Sequence, residues 1–251
     1  PQPALAVAGV RAVFKVALDR GGEGVAVVAD GYWAASQGRQ ALKIDWNLDG
    51  VARADTETLR KDYLALAQRE GNLVPDPAFR KELPPLSKSP RKLVAEFVFP
   101  YLNHAQMEPL ACTVDLREDG CTLHYASQMP GVDAGAVAKL TGLPFEKVQI
   151  QVQMAGGGFG RRATPTPEFV REAVAVAQGL AAAGQRAPVK VVWSREDDMK
   201  SGYYRPFTVH RAEIGFDAQG QVQGWNHRIV SQSIVSGSPF EPFMVKDGVD
   251  A

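Results

Sequence analysis

Residues 156–162 read Gly-Gly-Gly-Phe-Gly-Arg-Arg, between an alternating apolar/polar stretch and a helical one. A strand that feeds glycines into the start of a helix can bind an anion, because the first N–H groups of the helix have no internal partner. Glycine also lets the chain take positive φ and lets backbone N–H groups touch a ligand. The standard phosphate signatures are absent. Read from Gly156, the last glycine of a G-x-G-x-x-G pattern is replaced by Arg161, and no G-x-x-x-x-G-K-[ST] occurs. Neither a G-x-S-x-G nucleophile turn nor an H-E-x-x-H zinc motif is present. Phe159 among the glycines is either a plug for the core or an exposed aromatic awaiting something to pack on it. Arg161 and Arg162 suit phosphate oxygens, and equally suit salt bridges beside a helix start.

Other chemistry-bearing residues are sparse. His104 and Glu108 in "NHAQMEP" read as scaffold at an irregular corner. "SREDD" at 194–198 reads as a solvated loop in which Arg195 pairs with a nearby acid. Cys112 and Cys121 flank "REDG"; with Asp119-Gly120 at the centre of that turn, Cys121 faces Glu118 and the two sulfurs do not meet. They read as free, half-buried thiols, and without a C-x-x-C spacing they do not suggest zinc or iron–sulfur ligation.

The elements that must position these residues follow from periodicity. "GVRAVFKV", "GVAVVAD" and "KIDW" read as strands, with a helix over "GYWAASQGRQAL" (Trp33, Ala34, Gln37, Ala41) forming a β-α-β unit. Asp55 caps a second helix whose apolar face is Leu59, Tyr63 and Leu66, with Gly71 as its stop. Residues 72–92 are rich in proline and charge and read as a connection. A hairpin follows, with Cys112, Val114 and Leu116 answered by Leu123 and Tyr125, then a helix with Val132, Ala136, Val137 and Leu140 inward. Val148, Ile150, Val152 and Met154 share one face of the strand before the glycines. A helix ending at Gly184, a strand "VKVVWS" and a hairpin turning at "DAQG" close the pattern. Hairpins at both ends of the alternating region favour an α+β, mixed-sheet architecture.

The 251 residues can bury a substantial core, and 45% hydrophobic with 22% charged residues is ordinary globular composition. Lys+Arg and Asp+Glu are 28 each, so the zero net charge gives no global reason for a nucleic-acid partner. No apolar run approaches the roughly 20 residues of a membrane helix.

"HAQMEP", "SQMP", "GGGFGRR", "VVWSREDDM" and "YYRPFTVHRAEIGFDAQGQVQGW", in that order, resemble the large subunit of molybdenum hydroxylases, the xanthine dehydrogenase and aldehyde oxidase family. The paired arginines and the "HAQMEP" corner look most like its isoquinoline 1-oxidoreductase beta-subunit branch, although Gln106 stands where that corner usually has proline. The resemblance implies a small hammerhead-like α+β domain over residues 1–72, a connecting segment over 73–92, and a truncated first molybdopterin-binding domain over 93–251. It implies that Gln128, otherwise readable as a polar strand-end residue, hydrogen-bonds an oxo ligand of molybdenum without ligating the metal. It further implies that Gly156, Gly157, Gly158, Phe159 and Gly160 lie against the metal and pterin, with Arg161 and Arg162 on phosphate or dinucleotide. The cofactor implied is molybdenum with molybdopterin, in its cytosine-dinucleotide form. The reaction implied is oxidation of an aldehyde or N-heterocycle with water as oxygen source. The partners implied are an iron–sulfur subunit with 2Fe-2S clusters and a cytochrome as candidate electron acceptor, in the bacterial periplasm or cytoplasm.

No motif here matches the family's general-base glutamate, which is expected in a later segment along with the second molybdopterin domain. These 251 residues alone are expected neither to retain molybdenum nor to turn over substrate. Two other readings remain open from the sequence: a phosphate- or nucleotide-binding protein using the glycine loop, and a non-catalytic scaffold of the same fold.

Overall fold

The computed structural model describes residues 1–73 and 86–250 of the chain. In chain order its elements begin with α1 (Gln2–Leu5), β1 (Val10–Ala17), β2 (Glu23–Ala29), α2 (Tyr32–Ala41), α3 (Thr56–Ala67) and β3 (Arg91–Phe99). Next come β4 (Ala111–Leu116), β5 (Cys121–Tyr125), α4 (Pro130–Thr141), β6 (Val148–Val152), α5 (Glu168–Ala182), β7 (Val189–Val192) and α6 (Arg195–Lys200). The last are β8 (Thr208–Phe216), β9 (Val222–Ser231), α7 (Glu241–Met244), β10 (Val245–Lys246) and β11 (Val249–Asp250). The architecture is mixed α/β with several sheets.

Two compact units interleave in sequence: Pro1–Leu48 with Asn103–Tyr203, and Asp49–Leu102 with Tyr204–Ala251. This division runs across the linear boundaries read from the sequence, because Ala12, Phe14 and Val28 of β1 and β2 pack onto the core that residues 110–193 build. Gly179 of α5 admits the Phe14 ring; a Cβ there would stand 2.2 Å from its Cε2. Most of the connection at 73–92 lies outside the described residues.

The first unit is built on a sheet of order β6-β5-β4-β7. Neighbours are antiparallel except β5 and β6, whose parallel pairing requires a crossover, and α4 supplies it. One face of the sheet carries Val114, Leu123 and Tyr125, buried against Val137 of α4 and Phe169, Val170, Ala173 and Val174 of α5. These residues form a single close-packed core, the rigid floor on which the loops at one end of the sheet stand.

Several sequence expectations need correction here. Residues 43–46 form no strand, so β1 and β2 are a two-stranded antiparallel hairpin and not part of a β-α-β unit. Four residues of alternation ending in the exposed Trp46 find no pairing edge. In α2 the helix face turns Gly38 inward against Val10 and Val27, leaving Trp33 72% exposed. Cys121 pairs with Leu116 and not Glu118, since Arg117 N–H closes the turn on Gly120 O at 2.8 Å. Both thiols are free but fully buried, and burial raises both, Cys121 to about 11. Residues 195–200 are the helix α6 and not a solvated loop. Ser194 and Asp197 form a reciprocal capping box at its start. On β6 only Val148 is fully buried, while Val152 is exposed, because the strand is an edge that leaves the core before the glycines.

In the second unit, β3, β8 and β9 form an antiparallel sheet with Asp217 and Gly220 at the β8–β9 turn, as the sequence suggests. Asp55 caps α3, accepting from Thr58 N–H at 2.9 Å. The helix buries Ala67, with Tyr63 and Leu64, on Phe207 and Val209. Leu66, expected inward, points out, so the apolar stripe is rotated by one residue from that expectation.

Candidate functional site

Gln128 stands in the turn between β5 and α4, and buried groups fix that turn. The hydroxyls of Tyr125 and Ser127 both donate to Asp133 Oδ2, at 2.6 and 2.5 Å, and Met129 N–H donates to Ser127 Oγ at 3.1 Å. Burial raises the Asp133 carboxyl, and the two hydroxyl donors oppose that shift. A buried carboxyl with both donors in place resists displacement, because breaking the network would leave polar groups unpaired. Gln128 itself is exposed.

The glycine loop reaches Gln128 from the end of β6. Gly157 and Gly160 take positive φ (101° and 98°), and between them Phe159 does too (55°), a conformation that side chains rarely adopt. What demands glycine at 156–158 is largely the protein itself. A Cβ would stand 2.5 Å from Glu108 Cβ at Gly156, 3.2 Å from Gln106 Cβ at Gly157, and 3.2 Å from Gln128 Oε1 at Gly158. Nothing stands within 4 Å of a Cβ on Gly160.

The corner at 104–108 holds the loop. Gly156 N–H donates to Glu108 Oε2 and Glu108 N–H to Gly156 O, both at 2.9 Å. Arg162 donates through Nε to Gly157 O (2.9 Å) and through Nη2 to Glu108 O (3.0 Å) and Oε2 (2.8 Å). Its backbone N–H donates to Gln128 Oε1 at 3.1 Å, while Gln128 N–H donates to Arg162 O at 3.3 Å. Glu108 is therefore scaffold, as its setting in the sequence suggests, but scaffold of the glycine loop in particular.

Arg161 and Arg162, expected on phosphate or dinucleotide, turn their guanidiniums inward. Both side chains are 1% exposed, and each is neutralised from inside, Arg161 by Glu168 at 2.5 Å and Arg162 by Glu108. They are not surface salt bridges either. Desolvating a guanidinium is costly unless a carboxylate meets it, and here one does. Arg161 also lies over the Trp193 ring, 5.5 Å from its centroid. His104 beside them is lowered by burial and then by the Arg161 charge, against an opposing pull from Asp198.

Reading the sequence missed the support beneath this corner. Gln106 is fully buried; its Nε2 donates to Asp198 Oδ1 at 3.0 Å. Arg195 pairs with Asp198 Oδ2 (2.8 Å) and donates to the carbonyls of Gln106 and Met107 (2.5 and 3.0 Å), while Ala105 takes φ 47°. The capping signal Ser194-x-x-Asp197 was available to find α6 and with it Asp198.

Above this buried frame the surface is apolar. Phe159 is 79% exposed, and Met107 and Met154, on the segments that flank Gly156, are 87% and 95% exposed. Phe159 is thus no plug of the core. Among the described residues, no accepting group is found for Gln128 Nε2, and no group of three His, Cys, Asp or Glu side chains could hold a metal ion directly. The site offers one amide donor free of a protein acceptor, open backbone at Gly160 and an exposed aromatic.

The packed floor, the tied glycine loop and the amide beside it form one continuous site. The sequence profile of the molybdopterin cofactor-binding domain matches residues 80–249, and the chain belongs to that family. It is 23% identical over 243 residues to the membrane-bound aldehyde dehydrogenase [pyrroloquinoline-quinone] of Gluconacetobacter polyoxogenes, covering 89% of this chain and 30% of that one. It is 30% identical over 131 residues to isoquinoline 1-oxidoreductase subunit beta of Brevundimonas diminuta, covering 51% and 16%. Its fold matches quinoline 2-oxidoreductase from Pseudomonas putida 86 with a TM-score of 0.62 at 20% identity, covering 91% and 33%. The chain spans a third or less of the length of each of these proteins.

Proposed function

We infer that this chain is the part of a molybdenum hydroxylase large subunit that receives the molybdopterin cofactor on the loop 156–160, beside Gln128. The carrying observation is that Gln128 is tied to the Arg162 backbone and lies so close to Gly158 that a Cβ there would stand 3.2 Å from its Oε1, while Phe159 faces outward. When bound, the cofactor supplies two-electron oxidation of an aldehyde or N-heterocycle carbon, with water as the oxygen source.

This chain's own residues bind and orient. Gln128 Nε2 donates to an acceptor on the cofactor, a neutral amide being a donor that does not compete for the metal. Gly160 keeps the approach free of a side chain, Gly157 and Gly158 let the loop close on Gln106 and Gln128, and Phe159, with Met107 and Met154, covers apolar surface against water. The cytosine-dinucleotide form, the iron–sulfur subunit, a cytochrome acceptor, the periplasmic setting and the hammerhead character of residues 1–72 belong to the same reading. The likeness to a protein named as a beta subunit supports the second subunit; the other four are carried by the family resemblance of the sequence motifs.

The complete subunit containing this chain, produced in a bacterium that makes the cofactor, should carry about one molybdenum per chain by plasma mass spectrometry. It should also reduce an artificial electron acceptor with an aldehyde or N-heterocycle. Metal-free protein without pterin fluorescence after denaturation would refute the reading.

A further inference from the structure

A glutamine amide is nearly symmetrical in shape but opposite in function at its two ends, one accepting and the other donating. Which end a site sees is decided by what holds the other end. At Gln128 the holder is a backbone N–H, that of Arg162, which can only donate; the atom facing it must therefore be the carbonyl oxygen. The NH2 group is left to face outward, past Gly158.

The holder is itself held. Arg162 sits at the end of the glycine loop, and its buried guanidinium returns to the start of that loop. It binds Gly157 O, Glu108 O and Glu108 Oε2, and Glu108 Oε2 also takes Gly156 N–H. The ion pair thus closes the loop into a ring whose far side carries the N–H that turns Gln128. Lysine could keep the charge but not the fork that spans two carbonyls and a carboxylate.

We propose that Arg162 and Glu108 are positioning residues that fix Gln128 as a hydrogen-bond donor, so that the site selects a ligand presenting an acceptor to that amide. This rests on the proposed function above and adds to it the polarity of the recognition and the pair that enforces it. It also gives the second arginine of the Arg161-Arg162 pair a task that needs no phosphate.

The test uses the complete subunit produced in a cofactor-making bacterium, with variants Arg162→Lys, Gln128→Ala, the double variant and Gln128→Glu. Molybdenum per chain, the thermal midpoint and the Mo(V) electron paramagnetic resonance spectrum are measured for each. Arg162→Lys should lower molybdenum occupancy about tenfold, the size of loss typical for outer partners of a metal site. The metal that remains should show g values displaced as in Gln128→Ala, and the double variant should be no worse than the poorer single. Gln128→Glu keeps an acceptor for Arg162 N–H but has no outward donor when ionised. It should fold with the wild-type midpoint yet lose molybdenum, which keeps the proposal testable if Arg162→Lys does not fold.

Losses that multiply in the double variant, or full occupancy with an unchanged spectrum in Gln128→Glu, would overturn the proposal while leaving the functional reading intact. A metal-free wild type would overturn both.

Discussion

Glu172 offers a quantitative check on the buried charges behind the site. It lies on α5, one turn after Glu168, and accepts from Trp193 Nε1 at 3.0 Å. Burial, reinforced by the charges of Glu168 and Asp197, pushes its carboxyl from 4.5 up to about 7, against the opposing pull of Trp193 and Arg161. A carboxyl raised in the folded state holds its proton there after the unfolded chain has released it. Stability is therefore whole below about pH 4.5, falls as pH rises between 4.5 and 7, and stays reduced above. At about 1.4 kcal/mol per tenfold step, the gap corresponds to about 3 kcal/mol. Glu172 is only partly buried, so solvent screening brings the expected loss to about 1–2 kcal/mol.

Glu172→Gln keeps an acceptor for Trp193 and removes the charge. In urea unfolding followed by circular dichroism, wild type and variant should be nearly equal near pH 4.5. Near pH 8 the variant should be the more stable, with its midpoint about half a molar higher. Titrating groups that do not interact with Glu172 are common to the two proteins and cancel in the comparison. A stability difference that does not change with pH, or a variant less stable at pH 8 than wild type, would refute the account of a carboxylate ionised against its surroundings.

Two further outcomes separate surface from frame. Phe159→Ala, at an exposed position, should change stability by no more than about 0.5 kcal/mol in the same unfolding assay. In the complete subunit it should nevertheless reduce molybdenum content; a large loss of stability with normal metal would return Phe159 to a purely structural role. Gly202 takes φ 80°, and a Cβ there would stand 2.1 Å from Arg161 Nη2. Gly202→Ala should therefore cost about 2–4 kcal/mol, combining backbone strain with a displaced buried charge. A midpoint within a degree of wild type would show that the Arg161–Glu168 pair moves aside freely.

The sequence revealed the site where chemistry left an unusual local pattern, and hid it where long-range partners decide. Glycines at 156–160 announce a bare backbone, yet only the fold shows that Glu108, Gln106 and Gln128 occupy much of the space a Cβ would need. Periodicity located the β4–β5 hairpin, α4, α5 and the β8–β9 hairpin, because each buries a face whose spacing is set by its own geometry. It failed over residues 43–46, where alternation had no strand to pair with. It failed too on α2 and β6, whose apolar residues lie partly at the edges of the packed core. Burial of a charge depends on residues distant in sequence, so nothing local distinguished Arg162, tied to Glu108 54 residues away, from a solvated arginine.

That separation has a functional consequence. Glu108, Gln128 and Arg162 come from three different loops: the Arg162 backbone holds Gln128, the Arg162 side chain holds Glu108, and Glu108 in turn holds the Gly156 backbone. Of the three, Gln128 is the exposed side chain with an uncommitted donor, since the unpartnered Nη1 of Arg162 is buried, and the direction of that amide is a property of all three together. A substitution in any of these loops should therefore be read first through the orientation of that amide. A direct contact with the cofactor is the weaker explanation wherever the altered side chain is as deeply buried as Arg162.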